Sequence, residues 1–234
     1  MKAIETIYNG YRFRSRLEAR WAVFFDRLGI RYVYEPEGYE FEDGTQYLPD
    51  FYLPDSRQYF EVKGVMNDKD LHKVLNLARA GCEVVVGYDD MEFEISLDCG
   101  EAEGSPRLHI IAEKWNSFLV RCWKCGKYFF TYCTDTECRC CGCKHDGGEI
   151  CRFYSGHNLS RGNRFDILRP ERNAILEAAE QARQARFEHG EKPKGGKEDD
   201  RIHGVRNSGR KRKAEVHNIQ RSCYGLHSGK DNEL

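Results

Sequence analysis

Three residues raise the question of chemistry first. Asp50 lies in Tyr47-Leu48-Pro49-Asp50-Phe51, and Glu61 and Lys63 lie in Tyr59-Phe60-Glu61-Val62-Lys63. If the second segment is a strand, its side chains alternate, and Glu61 and Lys63 leave one face about 6–7 Å apart. If residues 47–53 pair with it, Asp50 stands beside Glu61. Two carboxylates held that close repel unless a cation sits between them, and hard oxygen ligands favour Mg2+ or Mn2+. Such an ion polarises a phosphoryl oxygen and acidifies a bound water. A lysine at the same place orients or deprotonates that water, or stabilises charge growing on the phosphate. The set is equipped for metal-assisted phosphodiester hydrolysis. The plainer alternative is a surface Glu61–Lys63 ion pair with Asp50 as a turn residue.

A second constellation is built from sulfur. Cys122-Trp123-Lys124-Cys125-Gly126 and Cys138-Arg139-Cys140-Cys141-Gly142 are two C-x2-C-G knuckles. In each, the glycine permits the positive φ that turns both thiolates toward one ion. Four thiolates suit a structural Zn2+, so Cys122, Cys125, Cys138 and Cys141 are the expected ligands. Cys140/Cys143 is a second register with the same spacing but no following glycine. Cys133, Cys140, Cys143, His145 and Cys151 are further donors for a second metal or idle thiols. Between the knuckles runs Lys127-Tyr128-Phe129-Phe130-Thr131-Tyr132. With Arg121, Trp123, Lys124 and Lys127, this stretch can stack bases and contact phosphate, or its aromatics can simply fill a small core.

These groups need elements to position them. In residues 14–28, Leu17, Trp21, Phe24, Phe25 and Leu28 mark one helical face, with Ser15 as N-cap and Gly29 as stop. Short strands follow at 31–34, 39–42, 47–53 and 59–62, separated by turn signals at Pro36, Asp43-Gly44 and Asp55-Ser56. A helix over 69–80 and a buried strand over 83–87 complete the order helix, short strands, helix, strand. The fold class is α/β. Residues 93–97 and 108–112 form a peripheral hairpin around the loop at 98–107, and Pro170 opens a third helix reaching about Glu188, with Gly190 beyond it. From Glu191 the chain is rich in Gly, Lys and Asp and is read as disordered.

On these residues the chain resembles the PD-(D/E)XK nuclease superfamily. The matching features are Pro49-Asp50, then Glu61-Val62-Lys63 eleven residues later, and Glu18 within Ser15-Arg16-Leu17-Glu18 on the preceding helix. The likeness is greatest to phage and prophage nucleases and to archaeal-type Holliday-junction resolvases. It implies a restriction-endonuclease-like core, an αβββαβ mixed sheet, in which Asp50 and Glu61 bind the divalent metal and the Val62 carbonyl adds a ligand. Lys63 would be the catalytic lysine and Glu18 an auxiliary ligand. Ser15 and Glu18 are also a capping box, which gives Glu18 a structural alternative. The cysteine segment resembles the zinc ribbons of nucleic-acid enzymes.

The expected layout is a nuclease core at 1–112, a zinc ribbon at 113–152, a linker and C-terminal helix at 153–190, and a basic tail at 191–234 that includes Arg210–Lys213. The chain has 234 residues, 40% hydrophobic and 32% charged, with a net charge of −1 and 11 cysteines. No apolar run is long enough for a membrane span, and Met1 to Arg20 lacks a secretory h-region. Clustered thiols without an export signal fit metal rather than disulfides, hence a reducing cytoplasm in a bacterium or a phage-infected host. The expected partner is DNA. Cutting both of its strands calls for two active sites, and so for a homodimer. The competing class is a non-catalytic zinc-ribbon DNA-binding or assembly protein on a nuclease-like scaffold.

Overall fold

A computed structural model describes residues 4–89, 91–98, 109–112, 117–131, 136–145, 153–155 and 169–187. The chain opens on a hairpin, β1 (Thr6–Tyr8) and β2 (Tyr11–Phe13), and then enters helix α1 (Arg16–Leu28). Asn9 and Gly10 both take positive φ, 48° and 83°. This is the Asn-Gly turn that matches the twist of a two-residue hairpin. The hairpin is absent from the expectations above, although Asn9-Gly10 between Tyr8 and Tyr11 is a strong short-range signal for it.

Helix α1 starts and stops where its caps dictate. Ser15 Oγ accepts from the Glu18 amide at 3.1 Å, and Gly29 ends the helix at φ 66°. Its buried face carries Trp21, Phe24 and Phe25. Strands β3 (Val33–Tyr34), β6 (Phe51–Leu53) and β7 (Gln58–Val62) follow, then helix α2 (Asp68–Arg79) and strand β8 (Val84–Gly87). Between β3 and β6 a separate hairpin intervenes, β4 (Tyr39–Glu40) with β5 (Gln46–Tyr47). Strands β9 (Phe93–Asp98) and β10 (His109–Ala112) extend the main sheet, whose order is β10-β9-β8-β7-β6-β3. β7 and β8 are parallel, and the other neighbours are antiparallel. The fold is mixed α/β with a mixed sheet.

Two expectations need correction. The segment 47–53 is not one strand: it breaks into β5 and β6 around Pro49, which has no N–H for a ladder. The Asp50 amide turns to Glu61 Oε2, and the Asp50 carbonyl accepts from the Glu35 amide at 2.8 Å. The hairpin over 93–112 is not peripheral either, because β9 pairs along the whole of β8.

Both faces of the sheet are covered. Trp21, Phe25, Phe51, Phe60, Val62 and Val85 pack on the α1 side, and Tyr47, Tyr59, Val74, Leu77, Val84 and Val86 on the α2 side. Every residue of β7 is therefore buried.

The cysteine segment forms a three-stranded sheet, β12-β11-β15, from β11 (Phe118–Arg121), β12 (Tyr128–Thr131) and β15 (Phe153–Ser155), with a small hairpin β13 (Thr136–Glu137) and β14 (Lys144–His145). It is docked against the main sheet. Phe130 packs on Phe60 and Phe93 with ring centroids 5.4 and 4.8 Å apart. Gln58 Nε2 donates to the Phe130 carbonyl at 2.7 Å, and the Phe130 amide donates to Gln58 Oε1 at 3.0 Å. The last helix, α3 (Arg169–Gln184), buries Ile175, Ala178, Ala179 and Ala182 in the core that α1 also lines. It ends four residues before Glu188, which lies outside the described residues, as do Gly190, the tail from 191, and Cys99, Cys133, Cys151 and Cys223. Among the described residues no helix is long and apolar enough to cross a membrane.

Candidate functional site

The antiparallel register of β6 and β7 decides where Asp50 goes. Phe51 pairs with Phe60, so one residue further Asp50 stands opposite Glu61 at the end of β6. Directly opposed residues share a face. The two acids are held together by backbone amides of the paired strands: the Val62 amide donates to Asp50 Oδ2 at 2.8 Å, and the Asp50 amide donates to Glu61 Oε2 at 3.3 Å. Tyr47 adds its hydroxyl to Glu61 Oε2 at 2.7 Å. Lys63, just past β7, sets its Nζ 2.7 Å from Glu61 Oε1 and 3.6 Å from Asp70 on α2. Asp50, Glu61 and Lys63 thus come together on the α2 side of the sheet. Val62 meets Asp50 through its amide.

Glu18 approaches from α1. Its Oε1 accepts from Ser15 Oγ at 2.7 Å, and its Oε2 accepts from the Tyr34 hydroxyl at 2.6 Å and the Arg14 amide at 3.1 Å. The Ser15–Glu18 pair caps the helix, so the structural alternative is visible in the hydrogen bonds. Glu18 is nonetheless close enough to act electrostatically on Asp50.

Three acids with only 4–8% exposure share this region. Burial, then the charges of Glu61 and Glu18, push the Asp50 carboxyl well above the usual carboxylate range, against the pull of the Val62 amide and Lys63. Burial disfavours the Lys63 ammonium, but Glu61, Asp50 and Asp70 outweigh it and hold Lys63 above its ordinary value. A site that would rather bind a proton than bear its full negative charge has the electrostatics for a cation. Its oxygens are not gathered as tightly as the sulfurs below: among the described residues, both groups of ligand atoms that converge within 4.8 Å are made of thiols.

The two cysteine knuckles repeat one hydrogen-bond plan. The Gly126 amide donates to the Cys122 carbonyl and the Gly142 amide to the Cys138 carbonyl, each at 2.8 Å. Both glycines have φ near 70°. The amides of Lys124 and Cys125 face Cys122 Sγ, and that of Lys127 faces Cys125 Sγ. In the second knuckle the amides of Cys140 and Cys141 face Cys138 Sγ, and that of Cys143 faces Cys141 Sγ. Although burial opposes it, these donors and its sulfur neighbours bring Cys122 down to about 5, while burial drives Cys138 upward. Thiolates this close ionise at each other's expense unless a cation joins them.

By sulfur spacing alone, Cys122, Cys138, Cys141 and Cys143 converge within 4.8 Å, and so do Cys125, Cys138 and Cys140. The cluster can hold a metal ion.

Of the residues considered for nucleic-acid contact, Trp123, Lys124 and Lys127 are exposed. Arg121 Nε donates to the Gly126 carbonyl at 3.0 Å, and Lys127 is paired with Asp55. Phe129 and Phe130 are buried. The aromatic run therefore serves packing first. Sequence reasoning missed Tyr47 and Tyr34, the hydroxyls that hold Glu61 and Glu18; nothing in their spacing sets them apart from other tyrosines. No family model matches the chain, and no curated protein matches it.

Proposed function

We propose that the chain is a metal-dependent nuclease of the PD-(D/E)XK type that hydrolyses phosphodiester bonds in DNA as an endonuclease. The reading rests on one observation: Asp50 and Glu61 are clasped side by side, the Asp50 amide donating to Glu61 and the neighbouring Val62 amide to Asp50, with Lys63 salt-bridged to Glu61. Asp50 and Glu61 would hold Mg2+ or Mn2+, with the Val62 carbonyl as an added ligand and Glu18 as an auxiliary one. When bound, the ion polarises a phosphoryl oxygen and makes a water more acidic. Lys63, kept protonated by its acidic neighbours, stabilises charge on the phosphate rather than removing a proton. Tyr47 fixes the orientation of Glu61. Zinc in the cysteine ribbon is structural and secures the ribbon against the strand that carries Glu61.

Incubation of plasmid, branched DNA and labelled RNA with Mg2+ or with EDTA tests this. Metal-dependent DNA cleavage that is lost in Glu61→Ala is expected. Glu18→Gln keeps one acceptor, for Ser15, and sets an NH2 group against the Tyr34 hydroxyl and the Arg14 amide, so cleavage is read against stability. A loss of cleavage beyond the loss of folded protein assigns Glu18 to the metal, and full activity assigns it to the cap alone. Intact DNA that the protein nevertheless binds tightly would replace the enzyme with a non-catalytic zinc-ribbon binding or assembly protein. A homodimer is the state in which both strands of a duplex are cut.

A further inference from the structure

One tetrahedral ion needs four thiols, yet among the described residues six sulfurs crowd this cluster. Cys143 Sγ lies 3.3 Å from Cys122 Sγ and 3.5 Å from Cys141 Sγ. Cys122 Sγ is 3.7 Å from Cys141 Sγ, and Cys125 Sγ is 3.7 Å from Cys138 Sγ. Two convergent groups can be drawn, Cys122, Cys138, Cys141, Cys143 and Cys125, Cys138, Cys140, with Cys138 common to both, while Cys125 also lies beside Cys122 and Cys141. A thiolate has enough lone pairs to bind two metals at once, and the shared position belongs to the buried Cys138.

We propose that the ribbon binds two soft divalent ions rather than one. Cys122, Cys138, Cys141 and Cys143 hold the first. Cys125, Cys138 and Cys140 hold the second, whose fourth position takes a water, as in zinc sites with three protein ligands. The amide-facing thiols are then divided between two ions instead of gathered on one. The electrostatics permit it: a second dication with two further thiolates leaves the net charge of the cluster where a single four-thiolate ion puts it. Two ions also explain why the second knuckle carries Cys140 and Cys143 where the first has Lys124 and Lys127. A single ion leaves Cys140 and Cys143 idle at close contact with charged sulfur.

The proposal rests on the cluster binding metal at all, and counting ions separates the two claims. The full chain, reduced, loaded with zinc and freed of excess by gel filtration, is assayed for zinc per chain by mass spectrometry. Glu61→Ala is run in parallel so that the carboxylate site does not contribute. Two zinc ions per chain are expected in both proteins, falling to one in Cys140→Ser. One ion in the unsubstituted protein overturns the two-ion cluster and leaves the ribbon's metal standing, whereas none overturns both. Two ions that persist in Cys140→Ser also overturn it, since the second would then sit elsewhere. Should Cys140→Ser not fold, the cadmium-113 resonances of the unsubstituted protein decide alone: two support the cluster, and one refutes it.

Discussion

At the residue scale the decisive group is Asp50, an acid whose environment favours its proton. Its folded-state affinity is raised, first by burial and then by Glu61 and Glu18. The folded chain therefore holds this proton at pH values where the unfolded chain has released it, and stability falls as pH rises from the ordinary carboxylate range toward neutrality. In EDTA, Asp50→Asn should melt above the unsubstituted protein near neutral pH, by about 2–4 °C for each kcal/mol of repulsion removed. The asparagine oxygen can still accept from the Val62 amide. Thermal unfolding across pH checks this. The gap should close below about pH 3, where the carboxyl is neutral in both states, and should shrink on adding Mg2+ if the site takes the ion. A constant gap, or one of opposite sign, would count against the electrostatic account. The acids and the lysine could be singled out from the sequence because strand alternation relates Glu61 to Lys63. The tyrosines that hold them could not, because Tyr34 and Tyr47 reach Glu18 and Glu61 from elements whose relative placement no local pattern encodes.

At the element scale, the close approach of β8 to α1 governs how well the site is held. A Cβ on Gly87 would come within 2.5 Å of the Phe60 ring and 2.6 Å of Trp21. These are rigid aromatics that fill the space between sheet and helix. Overpacking of this kind costs about 1–3 kcal/mol. Gly87 also pairs with Val62, and its carbonyl accepts from the Lys63 amide at 2.8 Å. Gly87→Ala should therefore lower the unfolding free energy read from urea titration by that amount and displace Lys63, detectable as an altered chemical shift or a weakened response to Mg2+. Unchanged stability would mean that the aromatic layer yields more easily than its packing suggests. Much at this scale was legible. Ser15 and Gly29 bound α1, a run of valines gives β8, and the helix–strand order gives the mixed sheet. The split of 47–53 into two strands was less so: Pro49 signals a break, but only the long-range bonds of Asp50 show that β5 leaves the sheet. The Asn9-Gly10 hairpin was legible and passed over.

At the scale of the whole molecule, ribbon and sheet share a strand. Gln58 at the start of β7 closes both polar groups of Phe130, and Glu61 stands three residues along. Arg139 reaches Glu83 at 3.2 Å, and Lys127 and Arg31 both pair with Asp55, which these cations hold down at about 2. If the cysteine cluster holds a metal, a strong chelator should thus lower the melting temperature of the whole described fold in one transition, visible by calorimetry. Two separate transitions would show that the ribbon unfolds independently. Gln58→Leu leaves the Phe130 amide and carbonyl buried without partners, at a cost of about 1–3 kcal/mol for each group stranded. This docking was invisible in the sequence, which suggested only that Phe129 and Phe130 belonged to some small core.

The Gln58 clasp has a bearing on ancestry and on engineering. Detaching the cysteine segment would uncover Phe60 and Phe93 and strand an amide side chain, so a shortened descendant must remodel those positions at the same time. Grafting this ribbon onto another scaffold would require transplanting its receptor surface along with it.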